Sequence, residues 1–171
     1  MAILVKEIKP SRLKVDALRL ELLNEMRKVG TDVKKDYEKT TKTWKHKPKF
    51  EVSVSLKPPG PVLIVETDDE IYRFVDKGTK PHLIFAGIYT CKSNKKALAF
   101  PSKFSAKTRP GVIGSSAGSS GGPTVIRPYV QHPGTKPRGF EEAIAKKWTK
   151  LYKRRMERAM AKAAKASGHA L

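Results

Sequence analysis

Cysteine and long apolar runs are what this sequence most lacks. Cys91 is the single cysteine, so the chain cannot form an internal disulfide or a metal site built from several cysteines. That usage is typical of proteins that stay in a reducing cytoplasm. No stretch approaches the roughly eighteen apolar residues of a membrane helix, and the apolar run at residues 3–5 is too short for a signal peptide. We therefore expect a soluble protein with no export signal of its own and no place in a membrane.

Acidic residues are also scarce. The chain has 36 Lys and Arg against 16 Asp and Glu, which gives a formal net charge of +20. No aspartate follows Asp76, and most of the excess positive charge lies beyond it. Such a surface attracts nucleic acid, acidic lipid or the acidic face of another protein. We expect a partner of opposite charge.

Residues 11–44 are predicted to form one long helix. Gly30 lies near its middle and weakens it by up to about 1 kcal/mol. The apolar residues recur three or four positions apart and therefore share one stripe, which predicts a packing seam. These residues are Val15, Leu18, Leu22, Met26, Val29, Val33 and Tyr37.

A second helix is predicted for residues 138–166, and it is strongly basic beyond its first turn. Glu141 and Glu142 stand in that first turn, where the helix dipole favours anions. Residues 167–171 are expected to fray. One side of the helix is apolar: Phe140, Ile144, Trp148, Leu151, Tyr152, Met156, Ala159 and Ala163.

Between the helices the hydrophobic period changes to two, which predicts strands. Residues 50–56, 62–65 and 71–75 are separated by short turns and are predicted to form an antiparallel meander. Residues 95–100 and 124–130 are further candidate strands. We predict an α+β fold whose order along the chain is a long helix, an antiparallel sheet of four or five strands and a second long helix.

Residues 107–123 are rich in glycine and serine and have little apolar surface to bury. Apart from Val112 and Ile113, no side chain there can offset the entropy cost of ordering the segment. We predict a mobile loop or an extended hairpin arm, within a single domain that spans residues 1–171.

The sequence predicts no catalytic residue, no metal site and no cofactor. Residues 114–118 match the Gly-x-Ser-x-Gly pattern of hydrolases, but that pattern requires a strand before it and a helix, an acid and a histidine after it. Here it lies in Gly/Ser-rich sequence, and we interpret it as a loop. The four histidines are far apart, and none has a partner at the spacing of metal ligands on a helix.

Nucleic-acid binding is the main alternative to a role in protein assembly. The basic residues of the second helix could follow phosphates, and Trp148 or Tyr152 could stack on bases. Both aromatics fall on the apolar stripe, however, which packing in the core explains better. The sequence has no zinc finger, RNP-type strand or GXXG loop, so any contact with DNA is expected to be independent of sequence.

Two segments resemble a known family. The first is IYRFVDKGTKPH at residues 71–82, followed after a gap by KKALAF at residues 95–100. The second is YVQHPGTKPRGF at residues 129–140, which leads straight into the amphipathic helix. In order and spacing they resemble the small tail-component family of long-tailed bacteriophages, the tail-completion or head–tail joining proteins of the neck. The resemblance covers residues 71–160 and extends to the first helix.

The resemblance implies that the residues of these motifs form turns of the fold and make no reactive site. The tetrapeptide Gly-Thr-Lys-Pro occurs at residues 78–81 and again at 134–137, either as two unrelated turns or as a structural echo. The motif residues are Gly78, Thr79, Lys80, Pro81, His82, His132, Pro133, Gly134, Thr135, Pro137, Arg138 and Phe140.

The resemblance also implies a function. Members of this family are structural virion proteins of the neck or tail top, made in the cytoplasm of a bacterial host, and they assemble as rings, commonly six-fold, around the DNA channel. The implied partners are further copies of the chain, the head connector or stopper, the tail terminator and the tail-tube protein. Such a ring requires head-to-tail contacts that close.

The basic surface then has two candidate roles, docking on acidic faces of neighbouring proteins or facing the DNA of the channel. For the second helix we favour docking on protein. The candidate residues are Lys103, Lys107, Arg109, Arg154, Arg155, Arg158 and Lys162.

Overall fold

The computed structural model describes residues 14–55, 60–86, 97–167 and 169. These residues confirm the predicted α+β class. The elements follow in the order α1 (Val15–Thr40), β1 (Glu51–Ser55), β2 (Val62–Glu66), α2 (Glu70–Lys77), β3 (His82–Phe85), β4 (Leu98–Ser105), β5 (Ser119–Arg127), β6 (Tyr129–His132) and α3 (Phe140–Ala166).

The two long helices are confirmed, and they pack against each other in antiparallel order. Ion pairs join residue 162 of α3 to residue 21 of α1, and residue 147 of α3 to residue 36 of α1. The later residue of α3 thus pairs with the earlier residue of α1, so the two helices run antiparallel. Residues 11–13 of the predicted first helix lie outside the described residues, as does most of the predicted frayed end at 167–171. The buried apolar residues of the two helices are Met26, Val29, Phe140, Ile144, Ala159, Ala163 and Ala164.

The β1–β2 hairpin packs across α1 at Gly30. In the antiparallel register Val54 lies opposite Leu63 and Val52 opposite Val65. A Cβ atom on Gly30 would lie 2.8 Å from Cδ1 of Leu63 and would also overlap Cγ1 of Val52. At Gly30 the hairpin therefore lies too close to the helix for a side chain, which explains a residue of low helix propensity there.

The third strand predicted at residues 71–75 is wrong, because these residues form helix α2. The side chain of Asp69 accepts a hydrogen bond from the backbone N–H of Tyr72 at 2.7 Å and thereby caps the helix. Tyr72 and Asp76, four residues apart, are buried on one face, whereas Phe74 is exposed on another. The predicted meander is consequently reduced to the β1–β2 hairpin.

The remaining four strands form two further antiparallel pairs, β3 with β6 and β4 with β5, which we call the ribbon. Only Pro128 separates β5 from β6, so residues 119–132 pair first with β4 and then with β3. Strand β3 was not predicted. The predicted single sheet is thus three two-stranded sheets, and residues 119–123 of the predicted loop begin β5. The ribbon packs little against the helices or the β1–β2 hairpin.

The centre of the core is aromatic and draws one residue from each of three parts of the chain. Phe50 precedes β1, Tyr72 belongs to α2, and Phe140 begins α3. The ring centroids of Phe50 and Tyr72 are 5.1 Å apart, and those of Tyr72 and Phe140 are 5.7 Å apart. Phe140 is fully buried, as expected for the residue that anchors the first turn of α3.

The close approach at Gly30 gives a first prediction. In Gly30→Ala the added methyl group collides with Val52 and Leu63, and we expect the free energy of unfolding to fall by about 1–2 kcal/mol despite the gain in helix propensity. Gly121→Ala is the matched control, because a Cβ atom there has no neighbour within 4 Å. Urea unfolding measures both. A more stable Gly30→Ala would contradict the packing described here.

Candidate functional site

The two Gly-Thr-Lys-Pro tetrapeptides lie side by side in antiparallel order, and we call them the clasp (residues 78–81 and 134–137). The backbone N–H of Thr79 donates to the carbonyl of Thr135 at 3.0 Å, and the N–H of Thr135 donates back at 3.2 Å. Oγ1 of Thr79 also accepts from the N–H of Thr135, at 2.9 Å. This bridge shares the register of the β3–β6 pair, in which His82 lies opposite His132. The two copies of the tetrapeptide are therefore not unrelated turns, because they bind each other in the fold.

Each glycine of the clasp lies against the backbone of the other copy. Gly78 has a φ of +76°, and a Cβ atom there would lie 2.5 Å from the carbonyl oxygen of Thr135. Gly134 has a φ of +84°, and a Cβ atom there would overlap the carbonyl oxygen of Thr79 and lie 2.9 Å from the carbonyl carbon of Lys80. Only glycine satisfies both the positive φ and the close approach.

Asp76, at the end of α2, caps helix α3. Its side chain is buried, and Oδ1 accepts hydrogen bonds from the backbone N–H of Phe140 at 2.5 Å and of Glu141 at 3.4 Å. The carbonyl oxygen of Asp76 accepts from the N–H groups of Arg138 and Gly139 at 3.0 and 3.1 Å. Gly139 precedes α3 and has no side chain that could do this. The clasp and this cap together fix where α3 begins.

The histidines and serines that might suggest chemistry have structural partners. His82 and His132 have ring centroids 5.0 Å apart, but Nδ1 of His132 accepts from the N–H of Gly134 and Nδ1 of His82 donates to the carbonyl of Lys80. The hydroxyl of Ser115 bonds to the backbone at the end of α1. Among the described residues, no three His, Cys, Asp or Glu side chains are grouped as metal ligands.

Some of the candidate basic residues are used inside the fold. Nε of Arg155 lies 2.5 Å from Glu25 and its Nη1 lies 2.8 Å from Asp32, both on α1. Nζ of Lys162 lies 2.6 Å from Glu21. The hydrogen bond from Arg155 holds the pKa of Asp32 below its usual range. These contacts join α3 to α1.

Of the other candidate basic residues, one bonds within the fold and the rest are exposed. Nζ of Lys107 donates to the carbonyl of Thr43 at 2.9 Å and holds the start of the Gly/Ser-rich segment on the end of α1. The four that remain project from the surface as exposed side chains. They are Lys103, Arg109, Arg154 and Arg158.

The ribbon exposes large apolar side chains. Phe104 on β4 is 78% exposed, Ile126 on β5 is 66% exposed and Tyr129 on β6 is 56% exposed. Tyr129 lies opposite Phe85 of β3, with ring centroids 6.2 Å apart, and Phe85 is also exposed. Of the fourteen large apolar residues that are exposed in the described part of the chain, five lie on the ribbon, and they include the two most exposed, which makes the ribbon a candidate interaction surface. The sequence alone does not reveal this surface, because which residues of these strands face outward depends on strand pairing.

Comparison with protein-family models, with curated protein sequences and with solved structures finds no match to this chain. Over the described residues, no helix combines the length and the apolar character needed to cross a membrane.

The clasp gives a second prediction. In Gly134→Ala the methyl group must occupy the position of the Thr79 carbonyl, and we expect a loss of about 2–4 kcal/mol in the free energy of unfolding. Gly111→Ala separates crowding from backbone strain, since Gly111 has a φ of +69° but open space around it. We expect this control to lose only about 1 kcal/mol. Equal losses in urea unfolding would show that the close approach contributes nothing.

The cross-helix ion pairs give a third prediction. Arg155→Gln should lower the free energy of unfolding by about 1–2 kcal/mol at pH 7, whereas exposed Arg154→Gln should change it by less than about 0.5 kcal/mol. Because the pKa of Asp32 is lowered in the folded state, its contribution is present above about pH 4 and is lost as the pH falls through the lowered pKa. The difference in free energy of unfolding between Arg155→Gln and Arg154→Gln should therefore become smaller at acidic pH. Identical melting curves at pH 7 would contradict the pairing.

Proposed function

We propose that this chain is a structural protein of a bacteriophage virion, located at the neck or the top of the tail. There it completes the tail, joins it to the head connector, or does both, as one subunit of a homo-oligomeric ring around the DNA channel. Its partners in this proposal are further copies of the chain, the head connector or stopper, the tail terminator and the tail-tube protein. The proposal assigns it no catalytic activity and no cofactor.

The observation that carries the proposal is the apolar surface of the ribbon. Phe104, Ile126 and Tyr129 are all more than half exposed. Burying a large apolar side chain stabilises a complex by about 1.5–3 kcal/mol, and aromatic residues are enriched at the centres of protein interfaces. A chain that leaves such residues in water gains most when another protein surface covers them.

The construction of the ribbon supports contacts between copies. A two-stranded sheet is only marginally stable by itself in water, and within the described residues each ribbon strand pairs with just one other strand. Packing on a neighbouring subunit would add the missing layer. If the ribbon of one copy packs on a different surface of the next, the contact is heterologous, and heterologous contacts form rings when their rotation closes.

The proposal also rests on the family resemblance, and the clasp is built from residues that carry that resemblance. The motif residues that resemble the phage tail-component family meet in space, although the two copies of the tetrapeptide are far apart in the sequence. Their hydrogen bonds are made to each other's backbone, and Phe140 is buried behind them. These residues hold the chain together just before α3 begins, which fits a structural role.

A fourth prediction tests this function. Phe104→Asp with Ile126→Asp should leave the isolated chain folded, because both side chains are exposed, but should prevent assembly. A phage that encodes this pair should accumulate full heads and unjoined tails. The control is Leu20→Asp, an exposed apolar residue of α1 that is 58% accessible and lies outside the ribbon.

Electron microscopy of lysates and mass spectrometry of purified virions read out the result. The proposal predicts normal virions for the Leu20→Asp control and incomplete particles for the double variant. Virions that lack this polypeptide, or a double variant that assembles as well as the wild type, would refute the proposed function.

A further inference from the structure

Six cations of α3 are exposed to solvent, and we call them the outer stripe. From Lys146 the positions advance by four residues to 150, 154 and 158, so neighbouring cations stand one turn apart in a band that winds through about 120° of the helix. At 1.5 Å per residue the stripe is about 28 Å long. All six are exposed: Lys146, Lys150, Lys153, Arg154, Arg158 and Lys165. Exposed Glu157, four residues after Lys153, is the one acidic residue of α3 beyond its first turn.

The outer stripe has a large excess of positive charge, in contrast to the side of α3 that faces α1. There Asp36 pairs with Lys147, and Arg155 pairs with both Glu25 and Asp32. None of the six outer cations has an ion-pair partner anywhere in the part of the chain that the structure describes. The acidic residues of α1 neutralise the inner cations and leave the outer ones free for a partner.

Although the sequence favours docking of this helix on an acidic protein, the exposed residues favour the other role, and we infer that the outer stripe binds the phosphate backbone of duplex DNA and does not read its sequence. Four of the six residues are lysine, and lysine is depleted at protein interfaces, where aromatic and apolar anchors dominate. Phosphates, by contrast, are bound by rows of lysine and arginine. A duplex carries a negative charge about every 1.7 Å along its axis, so it presents many phosphates over the roughly 28 Å of helix that carries these cations.

Duplex DNA is favoured over single strands by the placement of the aromatics of α3. Single-stranded recognition needs exposed rings on which bases stack. Trp148 is half-buried, and its Nε1–H donates to the buried carboxylate of Asp36 at 2.9 Å. Tyr152 is also half-buried, and burial raises the pKa of its hydroxyl. Neither ring is free to stack, so the charges are what α3 can offer to a nucleic acid.

This inference rests on the proposed function only in that the neck brings DNA past the chain, and binding can be tested separately. Full-length protein is titrated into two fluorescein-labelled 30-bp duplexes of unrelated sequence, and anisotropy is followed between 50 and 300 mM NaCl. We expect equal affinity for both sequences and a log–log salt slope as steep as about −5 if all six cations contact phosphate.

Matched triple variants locate the binding. Lys150→Gln with Arg154→Gln and Arg158→Gln should weaken binding at least tenfold at 50 mM NaCl and reduce the salt slope by about 2.7. The control removes three exposed lysines elsewhere, as Lys42→Gln with Lys45→Gln and Lys49→Gln, and carries the same net charge. It should bind within about threefold of wild type. Circular dichroism melting checks that both variants fold.

Three outcomes would overturn the inference. The first is no binding of wild-type protein at 50 mM NaCl, and the second is an equal loss in both triple variants, which would assign binding to net charge alone. The third is competition by polyglutamate as effective as that by unlabelled duplex at equal charge, which would assign the stripe to an acidic protein. Each would leave the ribbon variants and the virion content unaffected, so failure here is distinguishable from failure of the proposed function.

Discussion

The direction of helix α3 depends on one carboxylate that belongs to another helix. The first backbone N–H groups of any helix lack partners within it, and Gly139, the residue before α3, has no side chain to supply one. Asp76 fills that role from the end of α2, and α2 in turn begins at the cap made by Asp69. The position of the basic helix α3 therefore depends on a helix of eight residues. A strand would place Tyr72, Phe74 and Asp76 on one face, whereas the helix buries Tyr72 and Asp76 and leaves Phe74 exposed.

How much of the fold the sequence predicts follows from how local each signal is. The stripes of α1 and α3 continue over many turns, and the alternation in β1 needs no partner to be recognised, so these elements are confirmed. Five apolar or aromatic-rich residues between polar turns fit a strand and a helix equally well, and α2 was assigned wrongly. The cap residue Asp69, followed at once by Glu70, was the available signal for a helix. Strand β3 is short and follows Pro81, and it exists because β6, about fifty residues later, pairs with it.

The candidate site shows the same division. The sequence identifies the repeated tetrapeptide, but only long-range pairing shows that the two copies bind each other. The role of Asp76 as the cap of α3 is likewise visible only in the tertiary structure. Among the basic residues, Arg155 could have been separated from Arg154 beforehand, because position 155 lies eleven residues after Ile144 and four before Ala159, on the apolar side. The acidic partners on α1 could not have been assigned without knowing that the helices are antiparallel. Basic residues of the same type therefore have different roles, and the position of each relative to α1 decides whether it forms an ion pair inside the fold or stays exposed.

In the proposed assembly the ribbon and the outer stripe would keep apart two kinds of interaction that interfere when they share a surface. Apolar contact between subunits requires dry, closely packed side chains, whereas contact with phosphates is made through solvated cations and weakens with salt. Placing the first on strands and the second on a helix allows both to be made at once. If copies of the chain close into a ring, each brings its own stripe, and several weak contacts with one DNA molecule act as a multivalent one whose strength depends on the geometry of the ring. A single chain then needs no strong affinity for DNA, and the apolar contacts that close the ring would determine how firmly DNA is held.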